Sequence, residues 1–499
     1  MKRSFLALCL ALVACLALNA EEFTGNITVN RNGQINNTTA TVTVDEEGNG
    51  RYTLTLIVPG FGTMVMTDVP AATSGDITIY SAERDVNTNF GVMRTTLFAR
   101  TTGGLMAANV AIPAQNTTMW FNTVGDHFQL PNSDFEEWNT SINEPNHWHG
   151  FMTAYGNSTL VAMSQGLVKL ASSEDVHNGS AGSHSAVMTA GSTFGIIANG
   201  TMTNGRLKAG SMTPADTANH AEMDKAKTNL DPNGDLFYMP LYAKPDKFNV
   251  WLKYTQGSTT PNPEHKANVS VKTFDGTYYQ EPVDKVYTNL SGSIVGGQIP
   301  AGDWTFYSFP FDYDSYAGNN ADTEAIFVTF STNGNPGQGS KNDKLFVDDM
   351  ELVYLAEMTD LRYQGETIDG WDPDVTEYAI EMSGEPNLDD FSADVTGASA
   401  VVTKSLEQLA DGSYRIAICA VSGDLQTATA YIINATVATS GLKGDVNGDC
   451  LINTGDLSVL ITYLLNGIGN INEYNADMNS DNNINLGDLT MLISYLLNN

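Results

Sequence analysis

The chain has 499 residues, enough for several domains, and carries 57 acidic against 24 basic residues, a formal charge of −33. That balance offers no basic stripe and excludes a nucleic-acid binder. An acidic chain rich in Asn, Thr and Gly, kept soluble by self-repulsion, fits an exported protein that binds calcium.

Residues 1–20 read as a signal peptide. Lys2 and Arg3 form the charged start, Phe5 to Leu18 the apolar stretch, and Leu18-Asn19-Ala20 a small-residue cleavage site before Glu21. Leu12-Val13-Ala14-Cys15 also fits a bacterial lipobox, which makes a lipoprotein anchored through Cys15 the alternative. Ordinary cleavage is favoured, because Leu16-Ala17-Leu18 is an unusual mature start. No later segment is apolar enough for a transmembrane span, so a secreted or cell-surface protein is expected. Cys9 and Cys15 belong to the leader. Cys419 and Cys450 fall in different modules, so neither a disulfide framework nor a zinc spacing is present.

Residues 21–125 read as β throughout. Ile27-Thr-Val29, Thr41 to Val44, Tyr52 to Val58, Met64-Val-Met66, Ile77 to Tyr80 and Leu105 to Ile112 alternate or are β-branched, with turn residues between them. Gly60-Phe61-Gly62 is a turn, since no helix follows it as in a phosphate loop. The pattern suits an antiparallel barrel or sandwich. It resembles the calycin-like domain of secreted Bacteroidetes proteins, a relative of lipocalins and streptavidin. That resemblance implies a barrel able to hold a small ligand. Without a pocket signature, an interior filled by side chains is the favoured expectation.

Residues 126–356 open with Asp134-Phe-Glu136-Glu-Trp138 and Pro145-Asn-His147-Trp148-His149, and close with Leu345-Phe-Val-Asp348-Asp349-Met-Glu351-Leu352. Between them lies the strand-like Phe248-Asn-Val-Trp251-Leu-Lys-Tyr254. These ends and that strand resemble the PCMD carbohydrate metabolism domain of gut Bacteroidetes. The resemblance implies a jelly-roll sandwich and a role with glycans. Trp138, Trp148 and Trp251 are candidate ligand platforms and Trp304 a further one, because sugar C–H faces pack on aromatic planes. The competing reading is that tryptophans in strands are core. His147 and His149 could meet a metal, but no third ligand is evident. Glu136 with Asp348 or Asp349 could close one more structural calcium site in the jelly roll. As an acid/base pair these carboxylates would have to flank a cleft, and no glycosidase motif is recognisable.

Residues 357–440 read as a small β module. The run Gly370-Trp371-Asp-Pro-Asp-Val-Thr-Glu-Tyr378 resembles a cadherin-like or immunoglobulin-like spacer, with Trp371 as core anchor. Thr439 to Lys443 is a short linker.

Residues 441–499 hold two copies of one unit. Asp445, Asn447, Asp449, Asn453 and Asp456 fall at positions 1, 3, 5, 9 and 12 of one loop, and Asp477, Asn479, Asp481, Asn485 and Asp488 at the same positions thirty-two residues later. That spacing wraps a hard cation in oxygens, with Leu451 and Asn483 giving position-7 carbonyls and Asn453 and Asn485 acting through water. Leu457, Leu460, Ile461 and Leu464, then Leu489, Leu492, Ile493 and Leu496, follow at helical spacing. The pair resembles a type I dockerin, which implies two bound calcium ions and a cohesin partner on a scaffold protein. Position 12 is Asp, as is usual in dockerins. Position 6 is Cys450 in the first loop, where Gly is expected, and Asn482 in the second, which favours the second site. Thr454-Gly455 and Leu486-Gly487 are not the Ser-Thr pair of clostridial dockerins. Ile461-Thr462 and Ile493-Ser494 replace the Lys-Arg of those proteins.

The chain therefore reads as mainly β and multidomain: a calycin-like barrel, a jelly-roll sandwich, a small Ig-like sandwich and an α-helical dockerin. Three functions compete. The first is a non-catalytic, carbohydrate-binding protein that docks to a cohesin scaffold in polysaccharide breakdown. The second is a glycoside hydrolase with its site in 126–356. The third is a structural or adhesive surface protein.

Overall fold

The computed structural model describes residues 20–498 except 49, 60–61, 75–76, 124–126, 225–227, 276–289, 320–322, 383, 438–441, 450, 468–470 and 482. The leader expected at 1–20 thus lies outside the described residues apart from Ala20. So do Gly60 and Phe61, most of the 439–443 linker, and the two position-6 residues, Cys450 and Asn482. The chain forms two compact units. The first comprises residues up to 356 with 396–401 and 421–428; the second comprises 357–395, 402–420 and 429–499.

The first unit begins with eight strands: β1 (Ala20–Arg31), β2 (Gln34–Gly48), β3 (Arg51–Val58), β4 (Gly62–Ser74), β5 (Ile77–Thr88), β6 (Gly91–Thr102), β7 (Leu105–Ile112) and β8 (Thr117–Asn122). Each pairs with the next, and β8 returns antiparallel to β1, so the sheet closes into a barrel. Closure gives every strand two neighbours and leaves no open edge. The period-2 alternation read from sequence decides which face turns inward. Ile27 and Val29, Val42 and Val44, Leu54 and Leu56, and Met119 and Phe121 all point into one apolar core. The void left among them is about 30 Å³, room for about one or two waters. Side chains fill this barrel.

The rest of the first unit is a sandwich built from one folded-over sheet. Its strands are β9 (Lys169–Ser173), β10 (Ser185–Thr189), β11 (Thr201–Thr203), β12 (Lys247–Thr255), β13 (Ala267–Phe274), β14 (Leu290–Ile294), β15 (Gln298–Ile299), β16 (Gly302–Asp312), β17 (Ala325–Ser331) and β18 (Lys344–Val353). Their order is β9-β10-β18-β12-β16-β14-β13-β17-β11, with β15 beside β13. The long β16 makes the fold-over: most of it pairs β12, and its end, Phe311 and Asp312, pairs β14. Phe248 of β12 then faces Phe330 of β17 across the interior, ring centroids 6.4 Å apart. Helix α1 (Ser158–Leu167) starts at Asn157, whose side chain accepts from Thr159 N and Leu160 N.

Within this unit a buried cation of the barrel reaches the sandwich. Arg100 of β6 is 3 % exposed. Its guanidinium donates to the carbonyls of Tyr242 and Gly423, and its carbon lies 5.8 Å from the Phe128 ring centre. Asn109 of β7 adds a bond to Leu425 O at 3.2 Å. A buried charge is tolerable only when its donors are used.

The second unit holds two small sheets and a helical end. A three-stranded sheet places β19 (Met358–Tyr363) between Glu366–Thr367 and β21 (Phe391–Val395). A four-stranded sheet runs β20 (Glu377–Met382), β24 (Ala428–Val437), β23 (Tyr414–Val421), β22 (Val401–Gln408). Trp371 packs on Tyr378 and Tyr431, and its indole donates to Thr359 O. The hydroxyls of those tyrosines return to Asp372 O and Pro373 O, which staples the Trp-Asp-Pro turn to the sheet. Helices α2 (Thr454–Asn466), α3 (Glu473–Ala476) and α4 (Leu486–Asn498) follow.

Replacing Arg100 by Met is expected to strand two carbonyls while filling similar volume. Urea unfolding of the full chain should show the first unit's midpoint fall by the equivalent of about 1.5–3 kcal/mol. A midpoint within error of wild type would show that the tie carries no stability.

Candidate functional site

The two loop–helix units are built alike. In the first loop, Asp456 is fully buried at the start of α2. Its Oδ1 accepts from Asn447 N at 3.1 Å and its Oδ2 from Asn453 N at 2.9 Å, while Asn453 Oδ1 accepts from Gly455 N. One carboxylate thus caps the helix and closes the loop in a reciprocal box. Asp445, 2 % exposed, accepts from Gly448 N and Asp449 N. One oxygen each of Asp445, Asp449 and Asp456 lies within 4.8 Å of the others. In the second loop Asp488 accepts from Asn479 N at 3.2 Å and Asn485 N at 2.9 Å, and Asp477 from Asp481 N at 3.0 Å. Leu451 and Asn483, the expected carbonyl donors, are exposed.

The helices meet through Val446, Leu460, Ala476 and Leu492, which are fully buried. Asn475, also fully buried, ties the copies by donating to Asp445 O at 3.0 Å. Equivalent outward residues stay exposed on each helix: Ile461 and Leu465 at 37 % and 77 %, Ile493 and Leu497 at 38 % and 80 %. The hydroxyls of Ser458, Thr462 and Thr490 bond back to carbonyls of their own helix.

In the sandwich, the expected tryptophan platforms separate. Trp148 is a correction. It is fully buried against Phe135 and Phe330, with its indole donating to Pro131 O, and offers no ring face to a ligand. The large indole is spent on the core, where it removes the most apolar surface. Trp138 is half-buried, its indole bonded to Phe135 O. Trp251 is half-buried and stacked on His177, centroids 4.2 Å apart and planes 5° from parallel. Phe306 lies directly opposite Trp251 on β16 and is 48 % exposed, and Trp304 is two residues along the same strand. These rings make an aromatic surface on the outer face of the sheet.

His147 and His149 do not converge on one site. His147 faces Asp235 at 3.3 Å, whereas His149 is buried between Glu144 and Asp231. At i and i+2 they take different directions, and His147 sits at φ +68°. Glu136 does not close a site with Asp348. Its oxygens accept from Ser183 N and Oγ and from His184 N and Nδ1. Burial opposes its charge, but those His184 and Ser183 hydrogen bonds outweigh it and hold the carboxyl at about 2.

Two clusters carried little signal in the sequence. His177 binds Asp349 Oδ2 through Nε2 at 2.6 Å, and a ring nitrogen of His177 with one oxygen each of Asp348 and Asp349 lies within a 4.8 Å cluster. The second is a cavity of about 330 Å³ between α1, the Gly191–Ala198 hairpin and β17, with Leu160, Met163, Ile196, Asn199, Asn268 and Ser331 in its wall. No carboxylate lines it.

Residues 443–497 match the Dockerin type I domain family, so the end of the chain is a type I dockerin. Type I dockerins bind calcium, and their partners are cohesin domains. No curated protein matches the chain. Among the described residues no helix is long and apolar enough to cross a membrane.

The Glu136 carboxylate sets a pH dependence. Its folded value lies below the ordinary 4.5, so its contribution is complete above pH 4.5 and is lost as pH falls toward about 2. Urea midpoints of wild type and Glu136→Gln should therefore differ most at neutral pH and converge across that window. A constant difference would show that the Ser183 and His184 bonds do not favour the charged form.

Proposed function

We propose that this protein is an exported, non-catalytic, glycan-binding subunit that docks through its dockerin onto a cohesin-bearing scaffold in polysaccharide breakdown. The observation that carries the docking is the pair of alike loop–helix units with equivalent exposed apolar residues. Each loop holds one calcium ion. Asp445, Asn447, Asp449 and Asp456 with Leu451 O form one site, and Asp477, Asn479, Asp481 and Asp488 with Asn483 O the other. Asn453 and Asn485 act through water. The donor set fits the ion, because one oxygen each of Asp445, Asp449 and Asp456 converges in the first loop, the second repeats the same residue types, and the buried Asp456 and Asp488 pin the end of each loop. When bound, calcium supplies the charge that holds these oxygens together, and a module of about 55 residues has little core to fold without it.

Either helix surface can serve the partner after a half-turn, because Ile461 and Leu465 repeat as Ile493 and Leu497. The contact is apolar, so its affinity depends little on salt. Cohesin capture from the source organism should be lost in EDTA. It should survive Ser458→Arg with Thr462→Glu, survive Thr490→Arg with Ser494→Glu, and vanish when all four are combined. Loss with either pair alone would show that the two copies are not interchangeable.

Glycan binding is assigned to the sandwich, at the aromatic surface of Trp251, Trp304 and Phe306. What supports it is a half-exposed Phe306 ring tilted against Trp251, centroids 5.5 Å apart, with Trp304 two residues along the same strand. A hydrolase would need two carboxylates across a cleft, one of them protonated at neutral pH. Among the described residues the 330 Å³ cavity has none in its wall, and in the opening lined by Asp134, Glu136 and Asp349 the Glu136 carboxyl is held ionised. On an array of plant and mucin polysaccharides, wild type should bind without cleaving, and Phe306→Ala should lose about tenfold in affinity. Cleavage of any polysaccharide would establish the hydrolase instead, and binding to none would favour an adhesive role.

A further inference from the structure

Two consecutive residues in a strand normally point to opposite faces of the sheet. Asp348 and Asp349 do not. The pairing of β12 with β18 shifts register between Asn249 and Trp251, opposite Glu351 and Asp348, and Asp349 there takes φ +43°. A bulge of this kind re-aims a side chain. Here it brings both carboxylates to the ring of His177, so that one ligand atom from each residue falls within 4.8 Å of the other two.

The donors in this cluster do not balance among themselves. Asp348 is fully buried; its Oδ1 accepts from Asp349 N at 3.0 Å, and Oδ2 has no hydrogen bond of normal geometry, with the Ser180 hydroxyl as the nearby donor. A buried carboxylate oxygen without a well-aligned donor is costly. His177 is buried too, and its Nδ1 faces the carbonyl of Asn178 at 3.1 Å. A carbonyl only accepts, so Nδ1 is the donor there, and Nε2, 2.6 Å from Asp349 Oδ2, is the nitrogen an ion would take. One imidazole nitrogen and two carboxyl oxygens within 4.8 Å of one another make a place for a positive centre. Metal-bound histidines are held in the same way, with the far nitrogen fixed by a backbone carbonyl. The ring is held by its stack on Trp251.

We propose that His177, Asp348 and Asp349 form a binding site for a divalent transition metal of the zinc type. One imidazole and two carboxylates make a donor set suited to such an ion, whereas calcium takes six to eight oxygens. Ligands on one zinc stand roughly 3–3.5 Å apart, so a small widening of the Nε2–Oδ2 gap seats it. An opening of about 290 Å³ lined by Asp134, Glu136, Ala181, Gly182, Ser183 and Asp349 gives the entry path and leaves a coordination position to solvent or ligand. The site joins the 174–184 loop to β18 beside the aromatic surface. It stands whether or not that surface binds glycans.

The test uses the full-length protein saturated with calcium, so that the dockerin loops are filled, and titrated with zinc chloride by calorimetry with metal analysis after dialysis. Wild type should retain one zinc equivalent. His177→Gln and Asp349→Asn should each lose at least tenfold in affinity, with unchanged melting midpoints in the zinc-free, calcium-loaded state. Asn tolerates the left-handed backbone at 349, so Asp349→Asn keeps the test decisive if His177→Gln fails to fold. Wild type retaining no zinc overturns the proposal and leaves an imidazolium–carboxylate pair only. Undiminished zinc in Asp349→Asn, or zinc displaced by millimolar calcium, overturns it as well.

Discussion

A carboxylate can be buried only where donors meet its charge, and much of this acidic chain's architecture answers that requirement. Glu144, 1 % exposed, accepts from Gly150 N, Met152 N and Thr153 Oγ1. Asp343, 1 % exposed, gathers Gly257 N and Ser340 N from segments far apart in sequence. Asp231 holds Asn233 N and Asp235 N. Asp456 and Asp488 each close a loop and start a helix. In all five the donors are mainly backbone N–H groups of irregular segments, which have no ladder to pair with. The buried acids act as organisers of loops, and the strands supply the frame on which those loops hang.

That division explains what could be read from the residues. Local periodicity made the barrel legible, because Ile27, Val29, Val42 and Val44 alternate along their own strands. The dockerin was legible because its ligands sit within twelve residues of each other, and the following Leu and Ile residues repeat at helical spacing. Burial of Trp148 was not legible. Its neighbours Phe135 and Phe330 come from opposite ends of the module, and only the fold-over of β16 makes that point interior. The His177 cluster was half legible: Asp348 and Asp349 stood out as a pair. Their partner lies 172 residues away, and the bulge that turns both to one side leaves no mark in a single sequence. The groups that hold Glu136 were hidden for the same reason, since Ser183 and His184 reach it from a loop 47 and 48 residues on.

The same constraint bears on chemistry. A general acid must hold a proton near neutral pH and release it, which requires an environment that disfavours its charge. Carboxylates wrapped in N–H donors are driven the other way, as Glu136 shows at about 2. Asp246, raised by burial although it accepts from Leu355 N and Ala398 N, departs from this, and Asp348 departs further. Burial first, and then the charge of Asp349, push its carboxyl up to about 7, against the pull of Asp349 N, His177 and the Ser180 hydroxyl. A raised acid in a cleft is the usual signature of a catalytic centre. Here the acid lies within a sheet, fully buried, with its bulge neighbour and an imidazole as surroundings. A substrate bond cannot approach it, but an ion entering past Asp349 can. The arrangement at this cluster therefore favours a bound cation over proton transfer, while the buried acids elsewhere in the chain serve loop closure.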